Sequence, residues 1–157
     1  MSVAVANLSV VDLANCHLLS NTDQPFILTL KMGEDLFEGV LQCAYKMQLK
    51  SAMLSGLGAL SNVTVAFYNL STKQYHTKLF TGMYELISLN GNLSLLENKH
   101  FVHIHAALGT ETYSVKGGHI MSATVGASAE IAITPLSNNI QRVHDPVTGL
   151  KLMCPVF

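Results

Sequence analysis

Apolar and polar positions alternate along residues 26–32 (FILTLKM), the period of a half-buried strand. Gly33 breaks the run, and Glu34 and Asp35 then put negative charge where a helix N-terminus favours it. Leu36, Val40, Cys43, Ala44 and Met47 recur at three- and four-residue steps, which predicts one amphipathic helix over residues 34–48. Everything beyond it reads as strands: residues 51–60, 62–68, 73–80, 83–89, 101–108, 118–125 and 129–134. Glycine and asparagine punctuate them, and Asn90-Gly91 is the strongest turn signal. Gly56-Leu57-Gly58 lies inside a strand pattern without the strand-to-helix context of a nucleotide loop, so a bulge is expected there. One helix followed by many sequential strands predicts an α+β fold, a largely antiparallel sheet packed with one main helix. Residues 1–25 show no firm period and read as an N-terminal arm. Residues 135–157 read as a tail that wraps a neighbouring element.

Composition changes the picture in three ways. A chain of 157 residues suits a single domain, here 26–157, with one substantial core. Its apolar fraction is 49% and its charged fraction only 12%, against a usual ~25% charged. So little charge points to an outer surface partly covered by other copies of the chain, or else to one made polar by its Ser, Thr, Asn and Gln residues. The formal net charge is −1, Arg142 is the sole arginine, and the lysines are scattered singly. Nucleic-acid affinity needs clustered cations, so tight DNA binding by one copy is not expected. Three widely spaced cysteines without a CxxC point to free thiols in a reducing compartment, here the cytoplasm. No apolar run reaches the ~20 residues of a membrane span.

Chemistry concentrates in residues 101–121. A strand through Phe101-Val102-His103-Ile104-His105 puts His103 and His105 on one face, about 6.5 Å apart along the chain. His100 falls on the opposite face. Gly117 and Gly118 precede His119, and a hairpin through residues 111–118 would return the chain with His119 beside the pair. Three neutral imidazoles without a thiolate make an open metal site, with zinc as first choice and nickel, cobalt, copper or iron also compatible. The same pattern suits three polar residues on a solvated sheet face, and spacing alone does not decide. Glu85 shares an alternating set with Met83, Ile87 and Leu89, an odd company for an acid. It is a candidate catalytic acid/base beside a metal, or equally a carboxylate at a subunit interface or sheet edge.

Five stretches carry a resemblance when taken together and in order. They are Gly33-Glu34-Asp35-Leu36, Gly56-Leu57-Gly58-Ala59-Leu60, Tyr84-Glu85-Leu86-Ile87-Ser88-Leu89-Asn90-Gly91-Asn92, His103-Ile104-His105 and Gly117-Gly118-His119. The set resembles the PPC domain (plants and prokaryotes conserved domain) of the prokaryotic stand-alone type, over residues 26–134. The resemblance implies an α+β fold with an antiparallel sheet, a homotrimer, and a metal, usually zinc, on His103, His105 and His119. Plant members accompany the domain with an AT-hook, and prokaryotic members are commonly labelled DNA-binding. No AT-hook is written in these residues, and Thr29 stands where many relatives carry an arginine. The expectation is therefore a trimeric metal-binding protein acting through small-molecule ligand or protein contacts, with DNA a weakly supported partner. The alternative is a zinc-dependent hydrolase or lyase in which Glu85 moves the proton.

Overall fold

Phe26, Leu28 and Leu30 are buried while Ile27 and Thr29 between them are half-buried, so the alternation in the sequence becomes a strand with one inward face. The computed structural model describes residues 9–16 and 23–153. Its elements are β1 (Ser9–Asp12), β2 (Phe26–Lys31), α1 (Leu36–Lys46), β3 (Ala52–Asn69), β4 (Gln74–Leu96), β5 (Lys99–Gly109), β6 (Val115–Pro135), β7 (Gln141–His144) and β8 (Lys151–Met153). This is the expected α+β architecture, one helix on a mostly antiparallel sheet. Of the expected N-terminal arm, β1 pairs in parallel with β2, while residues 1–8 and 17–22 lie outside the described residues.

The helix starts where the acidic pair predicts. The Asp35 carboxylate accepts the backbone N–H groups of Phe37 and Glu38, both at 2.9 Å, and so satisfies donors that the first turn leaves open. Gly39 lets α1 lie close on β2, since a Cβ there would meet Leu30 Cδ2 at 2.7 Å. Leu36, Val40, Cys43 and Ala44 then bury their helix face in a core shared with Leu54, Ile104, Leu108, Ile120 and Ile131.

The sheet differs from the sequence reading in the length of its strands. The runs 51–60 and 62–68 form one strand, β3, and those at 73–80 and 83–89 form β4. Likewise 118–125 and 129–134 join in β6. The glycine and asparagine signals mark bends inside strands here. Register shifts fall at Gly56/Gly58 and Ser61/Val63, and Asn62 (φ 50) and Gly82 (φ 86) take up positive φ without ending their strands. Asn90 and Gly91 sit inside β4, paired with Ser55 and Leu54 of β3. The chain turns instead at Glu97 and Asn98, whose φ values are 51 and 61.

Long bent strands let the sheet close. β3 pairs with β4 and β6, β5 also pairs with β4 and β6, and the four form a ring. The remaining strands extend it in the order β1-β2-β6-β3-β4-β7-β8. β5 thereby has Ile104, Ala106 and Leu108 in the core, with its other face turned away from it. No helix among the described residues is long and apolar enough to cross a membrane.

Candidate metal centre

His103 and His105 flank Ile104, which is fully buried, so strand parity sends both imidazoles to the face away from the core. β6 brings the third. Its register sets His119 opposite His105 on β5 and opposite Ala66 on β3. The approach depends on the two glycines before it. A Cβ on Gly117 would lie 2.2 Å from the Ala106 carbonyl oxygen, and Gly118 adopts φ +151.

The three rings converge. His103 Nε2 stands 3.1 Å from His119 Nδ1 and 3.2 Å from His105 Nε2. Two nitrogens held at ~2.0–2.1 Å by one tetrahedral ion are about 3.3 Å apart, so two of the contacts already have coordination spacing. All three ligand atoms lie within 4.8 Å of one another. The donor set fits a borderline divalent ion such as zinc: three imidazole nitrogens and no thiolate, which would leave a tetrahedral ion one further position. His105 is exposed and the other two are half-buried, and all three line a cavity of about 660 Å³.

Electrostatics favour the neutral form of two of the rings, His103 and His119. Burial pushes His103 down from 6.5 to about 4, helped by His119, Arg142 and His105. Burial also lowers His119, with His105 adding to it. Neutral imidazole is the form that binds metals. In the unfolded chain His103 titrates near 6.5, so between pH 6.5 and about 4 the unfolded state binds more protons. Neutral His103 therefore supports the metal-free fold fully above pH 6.5, and that support is lost as pH falls through about 4. The unfolding free energy of EDTA-treated protein, read from urea curves, should drop across this window by an amount on the order of 2 kcal/mol that His103→Asn removes. An identical drop in the variant would exclude His103 as its source.

His100 does not join this cluster. His100 lies on the core side of β5, its Nε2 2.6 Å from the Leu49 carbonyl oxygen and its ring edge-on to Tyr45 at 4.4 Å. Glu85 is not brought to the cluster within one chain. It pairs with Gly109, four residues beyond His105 and about 13 Å along β5. A register shift between Leu86 and Ser88 also reverses its parity, so Met83, Glu85 and Ile87 are exposed while Leu89 is buried.

Arg142 is the residue that the sequence reading did not place. The tail folds back as the β7–β8 hairpin, with Gln141 and Arg142 paired to Leu95 and Leu96 of β4. Tyr68 Oη donates to the Thr148 carbonyl at 2.6 Å and Lys73 Nζ to that of Pro146 at 2.7 Å, holding the hairpin beside the cavity. Arg142, 8% exposed, donates Nε–H to Ser94 Oγ (2.8 Å), Nη1–H to the Lys151 carbonyl (2.6 Å) and Nη2–H to Asn92 Oδ1 (2.8 Å). Its Nη2 also stands 3.5 Å from His103 Nδ1, and the guanidinium lies 4.9 Å from the Phe101 ring centroid. The only sequence signal for this was that the sole arginine lies in the tail expected to wrap a neighbouring element.

The profile of the Plants and Prokaryotes Conserved (PCC, also written PPC) domain matches residues 19–137. The chain belongs to this family. Its PPC fold is that of a PPC protein from Pyrococcus horikoshii, at 31% identity and TM-score 0.79, covering 85% of this chain and 93% of that one. A metal-containing protein from Archaeoglobus fulgidus is also 31% identical, with TM-score 0.78 over 84% of this chain and 94% of the other. A protein from Bacteroides thetaiotaomicron, described provisionally as DNA-binding, gives TM-score 0.80 at 26% identity, covering 83% and 92%. The AT-hook motif nuclear-localized protein 10 of Arabidopsis thaliana is 29% identical over 108 residues, 66% of this chain. The PPC chain spans only 30% of that plant relative's length.

Proposed function

We propose that this PPC-domain protein binds one divalent transition-metal ion, zinc by preference, on His103, His105 and His119, and presents it to a small-molecule ligand in the adjoining cavity. The observation that carries this reading is the convergence of three imidazoles, two of their contacts at coordination spacing, beside an open cavity. The metal-containing relative from Archaeoglobus supports it. A bound ion would polarise a carbonyl or activate a water there. The chain's own part is to hold three ring nitrogens in place, disfavour protonation of His103 and His119, and shield one side with aromatic and aliphatic groups.

We further propose that the protein works as a homotrimer in the cytoplasm. Phe67, Met83, Ile87 and Leu79 are between 53% and 74% exposed, more apolar surface than a solitary domain with so few charges keeps wet. Buried free thiols at Cys16 and Cys43 suit a reducing compartment.

A DNA-binding role, carried in the description of the Bacteroides relative, finds little electrostatic support in this chain. The net charge is −1, and the sole arginine is buried with three of its N–H groups donated to Ser94, Lys151 and Asn92. The enzyme reading with Glu85 as proton carrier lacks that carboxylate within one chain. Untagged protein should contain about one zinc per chain by elemental analysis, the count that a single three-histidine site requires, and should elute as three chains in light scattering. Folded protein without metal would defeat the proposal.

A further inference from the structure

Arg142 poses a question of charge. It is buried, yet the ion pair present among the described residues joins Lys31 to Asp12, far from it in the sheet. Its described partners are two neutral side chains, a carbonyl, an imidazole and the face of Phe101. A buried cation without a counter-ion is costly, and arginine does not shed its proton to escape that cost. The cavity beside it does nothing to compensate. Its described lining includes Arg142, Lys151 and the three histidines, and no aspartate or glutamate. A divalent ion on three neutral imidazoles would make the pocket more positive still.

The remaining wall is apolar. Phe67, Tyr75, Phe101, Met121, Leu150 and Leu152 line the same cavity, and its volume of about 660 Å³ suits a ring-sized molecule. A phosphate or polyanion would want several converging N–H donors, and most of the Arg142 donors are already engaged. One planar, singly charged group matches what is left. If His103 Nε2 holds the metal, its proton sits on Nδ1, and the 3.5 Å contact to Arg142 Nη2 then sets donor against donor. That arrangement leaves an Arg142 N–H for a ligand.

We infer that the cavity recognises a small monocarboxylate with an apolar body, its carboxylate lying between Arg142 and the histidine cluster. The inference rests on the metal reading for its strength but on Arg142 for its sign. The probes are phenylacetate, its neutral isostere phenylacetamide, and inorganic phosphate, titrated calorimetrically into the zinc-loaded full-length chain and into the EDTA-treated one. Phenylacetate should bind at least about tenfold tighter than the amide, the size of one charge-assisted hydrogen bond. Arg142→Gln should erase that preference and Arg142→Lys restore part of it, with zinc content and circular dichroism recorded for each. Equal binding of acid and amide by the wild-type chain overturns the inference, and so does a folded Arg142→Gln chain with unchanged preference. Phosphate displacing phenylacetate at equal concentration overturns the carboxylate class. A chain that takes up no zinc overturns the metal reading alone, because the acid–amide preference is then read on the metal-free protein.

Discussion

Replacing His119 with alanine should take the zinc content from about one ion per chain, the stoichiometry of a single three-histidine site, to near zero while the sheet stays intact. Its Nδ1 stands 3.1 Å from His103 Nε2, and the ring is half-buried at the cavity wall and outside the core. Two imidazoles two residues apart on one strand would remain, one ligand short of the three that such a zinc site needs. The stability effect should appear only with metal. At free zinc about one hundred times the dissociation constant, binding adds about 2.7 kcal/mol to the wild-type fold, and EDTA should remove it. The His119→Ala chain should unfold at the same urea concentration with or without EDTA. His100→Ala is the control from the same neighbourhood. It deletes the contact to the Leu49 carbonyl and the ring packing on Tyr45, so it should lower stability by roughly 1 kcal/mol and leave zinc binding alone. Zinc retained by His119→Ala would mean that the metal sits elsewhere.

Much of this geometry was legible because it depends on parity. His103, Ile104 and His105 alternate faces in any strand, and a buried isoleucine between them fixes which face is which. His119 was legible through Gly117 and Gly118, whose small size announces a close approach. The helix was legible from its apolar spacing and from Asp35 at its start. Strand lengths were not, because Asn90-Gly91 reads as a hairpin turn when neighbours are unknown. In the closed ring, a Cβ on Gly91 would lie 2.4 Å from the His103 carbonyl oxygen, so that glycine serves a close ladder between β4 and β5. Glu85 misled for a related reason. Period-two counting fails across a bulge, and the shift at Leu86/Ser88 moved its neighbour Leu89 to the other face. Arg142 reaches the site through a hairpin that closes across β4, a long-range pairing that local pattern does not encode.

Gly117→Ala should cost both stability and metal affinity, although the substitution adds one methyl group and touches no ligand. The new Cβ would stand 2.2 Å from the Ala106 carbonyl oxygen, 3.2 Å from its carbon and 3.3 Å from Ala107 Cα. All three atoms are backbone, so no side chain can swing aside, and β5 must part from β6 where the ladder carries His119 to His105. Overpacking of this kind costs about 1–3 kcal/mol, and a rigid obstacle puts the expected loss toward the upper end. Relief of the clash widens the gap between the two halves of the histidine cluster, and zinc affinity should fall by about 10- to 100-fold, as when a supporting contact of a metal site is lost. Competition with a chromophoric chelator measures the second effect and urea unfolding in EDTA the first. Gly82→Ala separates them from general backbone strain. Its φ of +86 penalises alanine, but nothing lies within 4 Å of the added Cβ, so it should lose roughly 1 kcal/mol and keep full zinc affinity. If Gly117→Ala binds zinc as the wild type does, the β5–β6 ladder does not set the spacing of the three histidines.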